Sequence, residues 1–537
     1  MKSLTEITIP EEVKFVIYKL RENGYEAYIV GGCVRDLLRK AEPEDWDVAT
    51  NAEPEKIGKI FLRSFANNEF GTVTVQVQKS KFKNQNDKLK LKNEKIPKPE
   101  IMEIEITPYR IDEKYTDKRH PDEIKFAKTI EEDLARRDFT VNAIAMEIRK
   151  ILSIEPTPLG QIYGKTAGGV YPGEKLEIKI VDPFNGQRDL KNKIIRAVGK
   201  PEERFSEDAL RLMRAVRFAT TLDSDKIWEI DKATKKAIQK NAHLLSFISK
   251  ERIRDELMKI IMSSNGARGI ETLRRLGLLK YIIPELEEGF GIEQNKHHIY
   301  QIYQHNLLSL EYAGRKNFSK YVRLAALLHD IAKPRTKEGE GLDATFYNHE
   351  ISGAKMTIQI LQNLRFSKKE IEKIVKLVRY HLFYYDAEEV GESSVRRLVR
   401  EVEPENMNEL IQLRICDRIG SAVPKAEPYR LRHLKYVIEK VSQDPISVKM
   451  LKIKGGDVIE FLKISPGPKI GQILDILLSG VLDKPKRNKK ESLKKEIREL
   501  GKLKDEELSE LAEKARQGIR KVEMKRDEMT KKKYWVT

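Results

Sequence analysis

Two aspartates separated by one residue, Asp45 and Asp47, lie in the stretch YIVGGCVRDLLRKAEPEDWDVAT, beginning thirteen residues beyond the Gly31-Gly32 pair. Alternate residues of an extended strand face one side, so these carboxylates point the same way. Such a pair repels itself unless a cation sits between them. A hard divalent ion such as Mg²⁺ fits, because it takes oxygen ligands and is shared with substrate phosphates. Glu105 can reach the same place from a neighbouring strand. Gly31 and Gly32 have no Cβ, so their backbone can approach a triphosphate and offer N–H groups to it. Arg35 adds positive charge beside them. Each feature is common alone, but in this order and spacing they suit phosphoryl or nucleotidyl transfer.

Such groups need elements to hold them. Val13, Val16, Ile17 and Leu20 recur at helical spacing, and Gly24 can end that helix. Tyr28 to Val30 reads as a strand, Val34 to Leu38 as a helix and Asp45 to Ala49 as a second strand. Thr50 and Glu53 have capping-box spacing, with Pro54 in the first helical turn. Val73, Val75 and Val77 alternate with polar residues, as a strand requires. The run 101–106 alternates too, placing Met102, Ile104 and Ile106 on one face and Glu103 and Glu105 on the other. Residues 79–100, with eight lysines, suit a solvated hairpin insertion or an RNA-contacting arm. A Gly/Pro-rich insertion spans 156–173. Beyond about residue 200 helical periodicity dominates, and the polar end from Asp483 reads as a long charged helix with frayed ends.

Bulk properties narrow the class. A chain of 537 residues exceeds one core, so two to four domains are expected. No apolar run approaches the roughly 18 residues that a membrane helix needs. The opening MKSLTEITIPEE lacks an apolar signal core, and Cys33 and Cys416 form no disulfide framework, so a cytoplasmic location is expected. The net charge of +18 suits a polyanionic partner.

IVGGCVRDLL…EDWDVAT resembles the signature of class II nucleotidyltransferases, the bacterial-type CCA-adding enzymes and related poly(A) polymerases. FGTVTV, IEITPYR, the 117–145 stretch ending in RRDFTVNAIA, VDPFNGQRDLKNKIIRAVG and RFSEDALRLMRAVRFA resemble the family's following segments, so the likeness covers about residues 1–290. Arg39 departs from the pattern, where the family often has a turn glycine. The resemblance implies that Asp45 and Asp47 bind the catalytic Mg²⁺, with Glu105 assisting. Gly31, Gly32 and Arg35 would hold the triphosphate, and Arg137, Asp138 and Asn142 would contact sugar and phosphates. Asp208 and Arg211, read as i and i+3 on one helix, would present an acceptor and a donor to the pairing edge of C or A. Arg214 would contact the triphosphate, and His120 would belong to a flexible loop. An ordinary helix ion pair is the plainer reading of Asp208 and Arg211.

A second constellation resembles the HD-domain metal-dependent phosphohydrolases. His305, the adjacent His329 and Asp330, and Asp417 would share one metal, and His349 and His381 would bind a second. Imidazole with carboxylate suits a transition metal such as Mn, Fe, Co or Ni. The remaining histidines, His243, His297, His298 and His433, read as surface or packing residues. Downstream, the Gly467-to-Gly471 stretch resembles a tight loop in a family tail that grips the tRNA elbow.

The expected fold is α+β: a polymerase-beta-like nucleotidyltransferase α/β head over 1–150, a hairpin insertion and helical neck over 151–265, a helical HD-type body over 266–440, and a basic tail over 441–537. The expected activity is template-independent addition of CCA to the 3′ end of tRNA from CTP and ATP, with HD-site phosphohydrolysis as an end-repair activity. The alternatives are a poly(A) polymerase, a partial CC- or A-adding enzyme, and an HD phosphohydrolase with an RNA-binding head. No membrane partner is expected.

Overall fold

The computed structural model describes residues 7–67, 71–78, 100–113, 123–152, 175–295, 299–423, 425–442 and 448–536. The lysine-rich stretch over 79–99, the 156–173 insertion, His120, His297 and His298 lie outside the described residues. The chain forms two compact units, Met1–Val375 and Lys376–Thr537.

The first unit opens with helix Glu11–Glu22, which buries Val13, Val16, Ile17 and Leu20, the four residues that share its apolar face. Gly24, just beyond, has φ +83°, a left-handed conformation that suits glycine. A seven-stranded mixed sheet follows, in the order β3-β4-β5-β2-β1-β8-β9. Its strands are β1 (Ala27–Val30), β2 (Asp47–Thr50), β3 (Ser64–Asn67), β4 (Thr72–Gln78), β5 (Ile101–Pro108), β8 (Ala145–Leu152) and β9 (Lys175–Val181); β6 (Arg110–Glu113) and β7 (Glu123–Phe126) form a separate hairpin. Helix Ile130–Ala135 covers one face over Val30, Ala49, Ala143 and Ala145. Ile104 and Ile106 are buried while Glu103 and Glu105 are exposed, as the alternation requires.

Two local expectations are corrected. Strand β2 begins at Asp47, so Asp45 lies in the bend before it. Helix Pro54–Ile60 starts with Pro54 at its first position, but its N-cap is Glu53 and no side chain caps it. The Thr50 hydroxyl donates instead to the Glu26 carbonyl, at 2.5 Å, because the strand turns it inward. The capping box of this region belongs to Thr129 and Glu132, at the start of helix Ile130–Ala135.

Beyond β9 the first unit is helical apart from a two-residue parallel pair, Ile194–Ile195 with Glu229–Ile230. Helices Arg211–Thr221, Lys250–Met262 and Gly266–Arg275 pack on one another, followed by Ile302–Arg315, Lys320–Leu328 and His349–Asn363. Arg323, 1% exposed, joins these groups. Its guanidinium donates to the carbonyls of Ile261, Met262 and Ser263 at 2.7–3.2 Å, which satisfies the end of helix Lys250–Met262.

The second unit contains helices Glu392–Val402, Met407–Gly420, Tyr429–Ser442, Gly455–Leu462, Pro468–Asp483, Lys490–Gly501 and Asp505–Tyr534. Leu451, Ile453, Val458, Ile473, Leu477, Leu493, Ile497 and Leu508 build its main core. The expected Gly467–Gly471 loop is corrected: Pro468 starts a helix there and Gly471 lies inside it, because the proline's fixed φ suits a first helical turn. The charged end is two helices rather than one, and the last runs on to Tyr534 instead of fraying. Tyr436 bonds to Asp527, and Lys533 and Tyr534 both reach Glu439, each at 2.6 Å, which fastens it to helix Tyr429–Ser442. Among the described residues no helix is long and apolar enough to cross a membrane.

Candidate active site and metal cluster

Register creates the first site. Asp47 pairs with Glu105 across the parallel β2–β5 ladder, and Glu105 pairs with Thr74 across the antiparallel β4–β5 ladder. Residues paired in register share a face, so Asp47 and Glu105 point the same way. Burial pushes the Asp47 carboxyl up to about 6; Arg137 opposes this, while Glu105 and Asp45 add to it. Three carboxylates crowded against one guanidinium form a donor set with unbalanced negative charge. That fits a divalent cation.

The Gly31-Gly32 turn faces this row. Gly31 has φ +79°, and a Cβ built on it would lie 2.9 Å from Arg137 Nη1 and 3.5 Å from Asp47 Oδ2. The missing side chain is therefore the space in which the backbone meets the site. Gly32 opens helix Gly32–Leu38, which carries Arg35 one turn in. The turn expected at Arg39 falls one residue later: Arg39 is ordinary right-handed backbone and Lys40 has φ +61°. The departure from glycine at 39 therefore costs no backbone strain.

A chain of polar contacts leads from this turn to the neck. Arg35 Nη1 donates to Asn142 Oδ1 at 2.9 Å, and Asn142 Nδ2 donates to Asp138 Oδ1 at 3.0 Å. Arg214 closes on Asp138 Oδ2 through Nε and Nη2, at 2.8 and 2.6 Å. Burial pushes the Asp138 carboxyl up, but Arg214, the Asn142 amide and Arg211 outweigh it and hold it near about 2. Asp138 is thus a buried, ionised pivot. Arg137 and Arg136 both grip the buried Asp133, at 3.0 and 2.8 Å.

The placement of Asp208 and Arg211 on one helix is corrected. Asp208 does not share a helix with Arg211: it caps the end of helix Pro201–Glu207 with extended backbone, and Arg211 begins the next helix. Nor do their side chains pair, although the Arg211 N–H donates to the Asp208 carbonyl at 3.1 Å. Asp208 Oδ2 receives Arg252 Nη2 at 3.1 Å, whereas Arg211 bonds Glu207 at 2.6 Å and the Arg136 carbonyl at 3.0 Å. The sequence reading missed Arg252, Glu207 and Phe218. Phe218 packs against three guanidiniums, with Arg217, Arg214 and Arg35 centred 4.0, 5.2 and 5.4 Å from its ring. Arg252 is 44 residues from Asp208, so no local spacing could have announced it.

The second site is a histidine cluster buried in the first unit. His305 Nε2 lies 2.9 Å from His329 Nε2, and both lie near Asp330 Oδ2, at 3.3 and 3.5 Å. His349 Nε2 is 3.4 Å from Asp330 Oδ1. Two backbone carbonyls set the tautomers: Ala326 O is 2.9 Å from His329 Nδ1, and Phe346 O is 2.7 Å from His349 Nδ1. Each ring then donates from Nδ1 and turns its Nε2 lone pair toward Asp330, the arrangement of metal-ligating imidazoles. His305, His329 and Asp330 bring one ligand atom each within 4.8 Å of one another. Lys333, also missed, places its ammonium 2.7 Å from Asp330 Oδ2 and 2.7 Å from Gln294 Oε1. His381 and Asp417 belong to the second unit. There His381 Nδ1 lies 2.6 Å from the Val378 carbonyl, and Asp417 receives Arg414 at 2.7 Å.

A mixed sheet with two in-register carboxylates under a glycine turn, backed by helices rich in arginine, defines a nucleotidyltransferase head joined to a helical body. The comparisons agree. Residues 27–158 match the poly A polymerase head domain, 228–290 the probable RNA and SrmB-binding site of polymerase A, and 302–421 the HD domain. The CCA-adding enzyme of Ligilactobacillus salivarius is 38% identical over 277 residues, covering 51% of this chain but only 55% of that protein. The A-adding tRNA nucleotidyltransferase of Deinococcus radiodurans is 32% identical over 366 residues, covering 66% of this chain and 76% of that protein. The chain belongs to this family of tRNA nucleotidyltransferases. A crystal structure of the Bacillus stearothermophilus CCA-adding enzyme in complex with CTP superposes with a TM-score of 0.51 at 25% identity, covering 92% of this chain and 98% of that one.

Proposed function

We propose that this protein adds CCA to the 3′ end of tRNA from CTP and ATP, with no nucleic-acid template. The observation that carries this is the Asp47–Glu105 row beneath Gly31, where the absent Cβ leaves space bounded by Asp47 and Arg137. The RNA 3′-hydroxyl attacks the α-phosphorus of the nucleotide, and pyrophosphate leaves. A divalent cation held by Asp45 and Asp47, with Glu105 alongside, supplies Lewis acidity to the attacking hydroxyl and the triphosphate when bound. The chain's own part is positioning. The Gly31-Gly32 backbone and Arg35 receive the triphosphate, and Arg214, fixed by Asp138, adds positive charge. Asp208 and Arg211 offer an acceptor and a donor to the base edge, held apart by Arg252 and Glu207. His305, His329, Asp330 and His349 would hold a transition metal, which would supply Lewis acidity for hydrolysing phosphate ends that block extension.

A second reading is addition of A alone, favoured by the likeness to the Deinococcus enzyme. One tRNA lacking its CCA, offered CTP, then ATP, then both, separates them. Two C followed by one A, with arrest there, supports the proposal. Failure with CTP but one A added to a tRNA ending in CC selects the A-adding reading. Unlimited A selects a poly(A) polymerase. Asp45→Ala and Asp47→Ala should each abolish addition while leaving hydrolysis of 2′,3′-cyclic ends intact.

A further inference from the structure

Helix Gly32–Leu38 ends on Arg39, whose right-handed backbone any residue can adopt. What Arg39 contributes is therefore its side chain, which is half-buried. The helix dipole favours a cation at a helix C-terminus whatever surrounds it, but this one has two particular partners. Its guanidinium is centred 5.5 Å from the ring of Trp228, within cation–π range. Its Nη1 donates to Asp36 Oδ1 at 3.1 Å.

Asp36 is already engaged. Arg35 Nε donates to Oδ1 at 2.9 Å and Arg35 Nη2 to Oδ2 at 2.7 Å, a two-pronged grip, so Oδ1 serves both arginines. One carboxylate shared by two guanidiniums neutralises neither, and Arg35 keeps net positive charge for a polyanion. Asp223 is the other carboxylate whose field reaches Arg39, but Lys193 holds it.

Both arginines stand on rings of the neck. They are one helical turn apart, with Arg35 centred 5.4 Å from the Phe218 ring and Arg39 5.5 Å from the Trp228 ring. Phe218 belongs to helix Arg211–Thr221. The Trp228 N–H donates to the carbonyl of the next residue of that helix, Ala219, at 2.8 Å. The two rings are thus fixed to one element, and the head helix meets it at two points. Trp228 is buried, so the second point excludes water.

We infer that Arg39 is a positioning residue for nucleotide binding: anchored on Trp228, it holds Asp36 so that Arg35 presents a fixed, only partly neutralised guanidinium to the triphosphate. The inference rests on the proposed role of Arg35 and goes beyond it, placing control of that role one helical turn away.

The experiment uses the full chain with Mg²⁺. Equilibrium dialysis gives dissociation constants for CTP and ATP, and steady-state addition to a tRNA lacking CCA runs alongside. Arg39→Gln keeps the stem but removes the charge, and should weaken CTP and ATP alike by about tenfold, the scale of one partly buried cation–π contact. KM should rise in step, while kcat and tRNA affinity stay within about twofold of the parent. Arg39→Lys keeps the charge without the flat stacked plane, so its affinity should fall between the two. In an Asp36→Asn background the link to Arg35 is cut, and Arg39→Gln should then cost less than about twofold. Trp228→Leu should copy Arg39→Gln; if it does not fold, the Asp36→Asn cycle decides alone. Unchanged CTP affinity in Arg39→Gln overturns the inference, as does its full loss persisting beside Asp36→Asn. A loss confined to CTP or to ATP also overturns it, because only the triphosphate is common to both. So does a joint fall in nucleotide affinity, tRNA affinity and melting temperature, which makes Arg39 a plain strut between head and neck. If the parent binds CTP and ATP but adds neither to tRNA, the proposed function falls and the dialysis still tests Arg39. If the parent binds neither nucleotide, both fall.

Discussion

Removing Arg214 should expose how much the buried Asp138 depends on it. Asp138 is 8% exposed and is held near about 2, against an ordinary value of 3.8. That shift corresponds to about 2–3 kcal/mol favouring the ionised form in the folded state. Arg214→Met keeps the apolar stem but deletes both guanidinium contacts, leaving the carboxylate only the Asn142 amide, the Phe139 N–H and the field of Arg211. Burial then dominates and the carboxyl pKa rises. The variant should lose about 3–5 kcal/mol at pH 7, the usual cost of stranding one member of a buried pair. In the parent, the depressed pKa gives a stabilisation present above pH 4 and lost as pH falls through 4 toward 2. In the variant the raised pKa means that protonation relieves the stranded charge as pH falls. The gap between the two proteins should therefore shrink between pH 7 and pH 4.5. Arg214→Met with Asp138→Asn should recover part of the loss. Urea unfolding followed by Trp46 and Trp228 emission, in a Trp535→Phe background, reports on the first unit alone. An Arg214→Met protein as stable as its parent at pH 7, or a gap that widens on acidification, would refute the reasoning.

Other consequences are as direct. Gly31→Ala forces a side chain into φ +79° against Arg137; it should cost about 1–2 kcal/mol in thermal unfolding and reduce nucleotide addition by more than the stability loss explains. Phe218→Leu removes the ring under three guanidiniums; with about 0.5–2 kcal/mol per cation–π contact at stake, KM for CTP should rise about tenfold while RNA affinity holds, as steady-state kinetics will show. His305→Ala and His329→Ala should each empty the histidine cluster of bound transition metal, measured by elemental analysis after dialysis, with CTP incorporation unchanged. Retained metal in both variants would remove the cluster from any metal chemistry.

Much of the head was legible because its signals are local. The alternation of 101–106 put Glu105 on the exposed side, and the Gly31-Gly32 turn announced a close backbone approach. Adjacent His329 and Asp330 pointed to a group of side chains that could hold a metal ion, and His305 joins them in the structure. The neck was read less well. EDALR gave Asp208 and Arg211 the spacing of one helix turn, yet the chain breaks between them, because Asp208 is drawn to Arg252 and Arg211 to Glu207 and the Arg136 carbonyl.

What the sequence determined by itself was therefore the inventory: which carboxylates, guanidiniums and imidazoles the chain carries, and which strands and helices hold them. Periodicities of 2 and 3.6 depend on neighbours along the chain and are visible in one dimension. The tertiary structure alone decided the partners: Glu105 in register with Asp47, Asp138 clasped by Arg214, Phe218 beneath three arginines, and Lys333 against Asp330. Apart from Lys333, three residues from Asp330, and Arg214 and Arg217, which precede Phe218 in its own helix, these pairings join residues far apart in sequence, and even the Lys333 contact is shared with Gln294. In a buried, low-dielectric setting it is such neighbours, more than residue type, that set which groups stay charged and where they point.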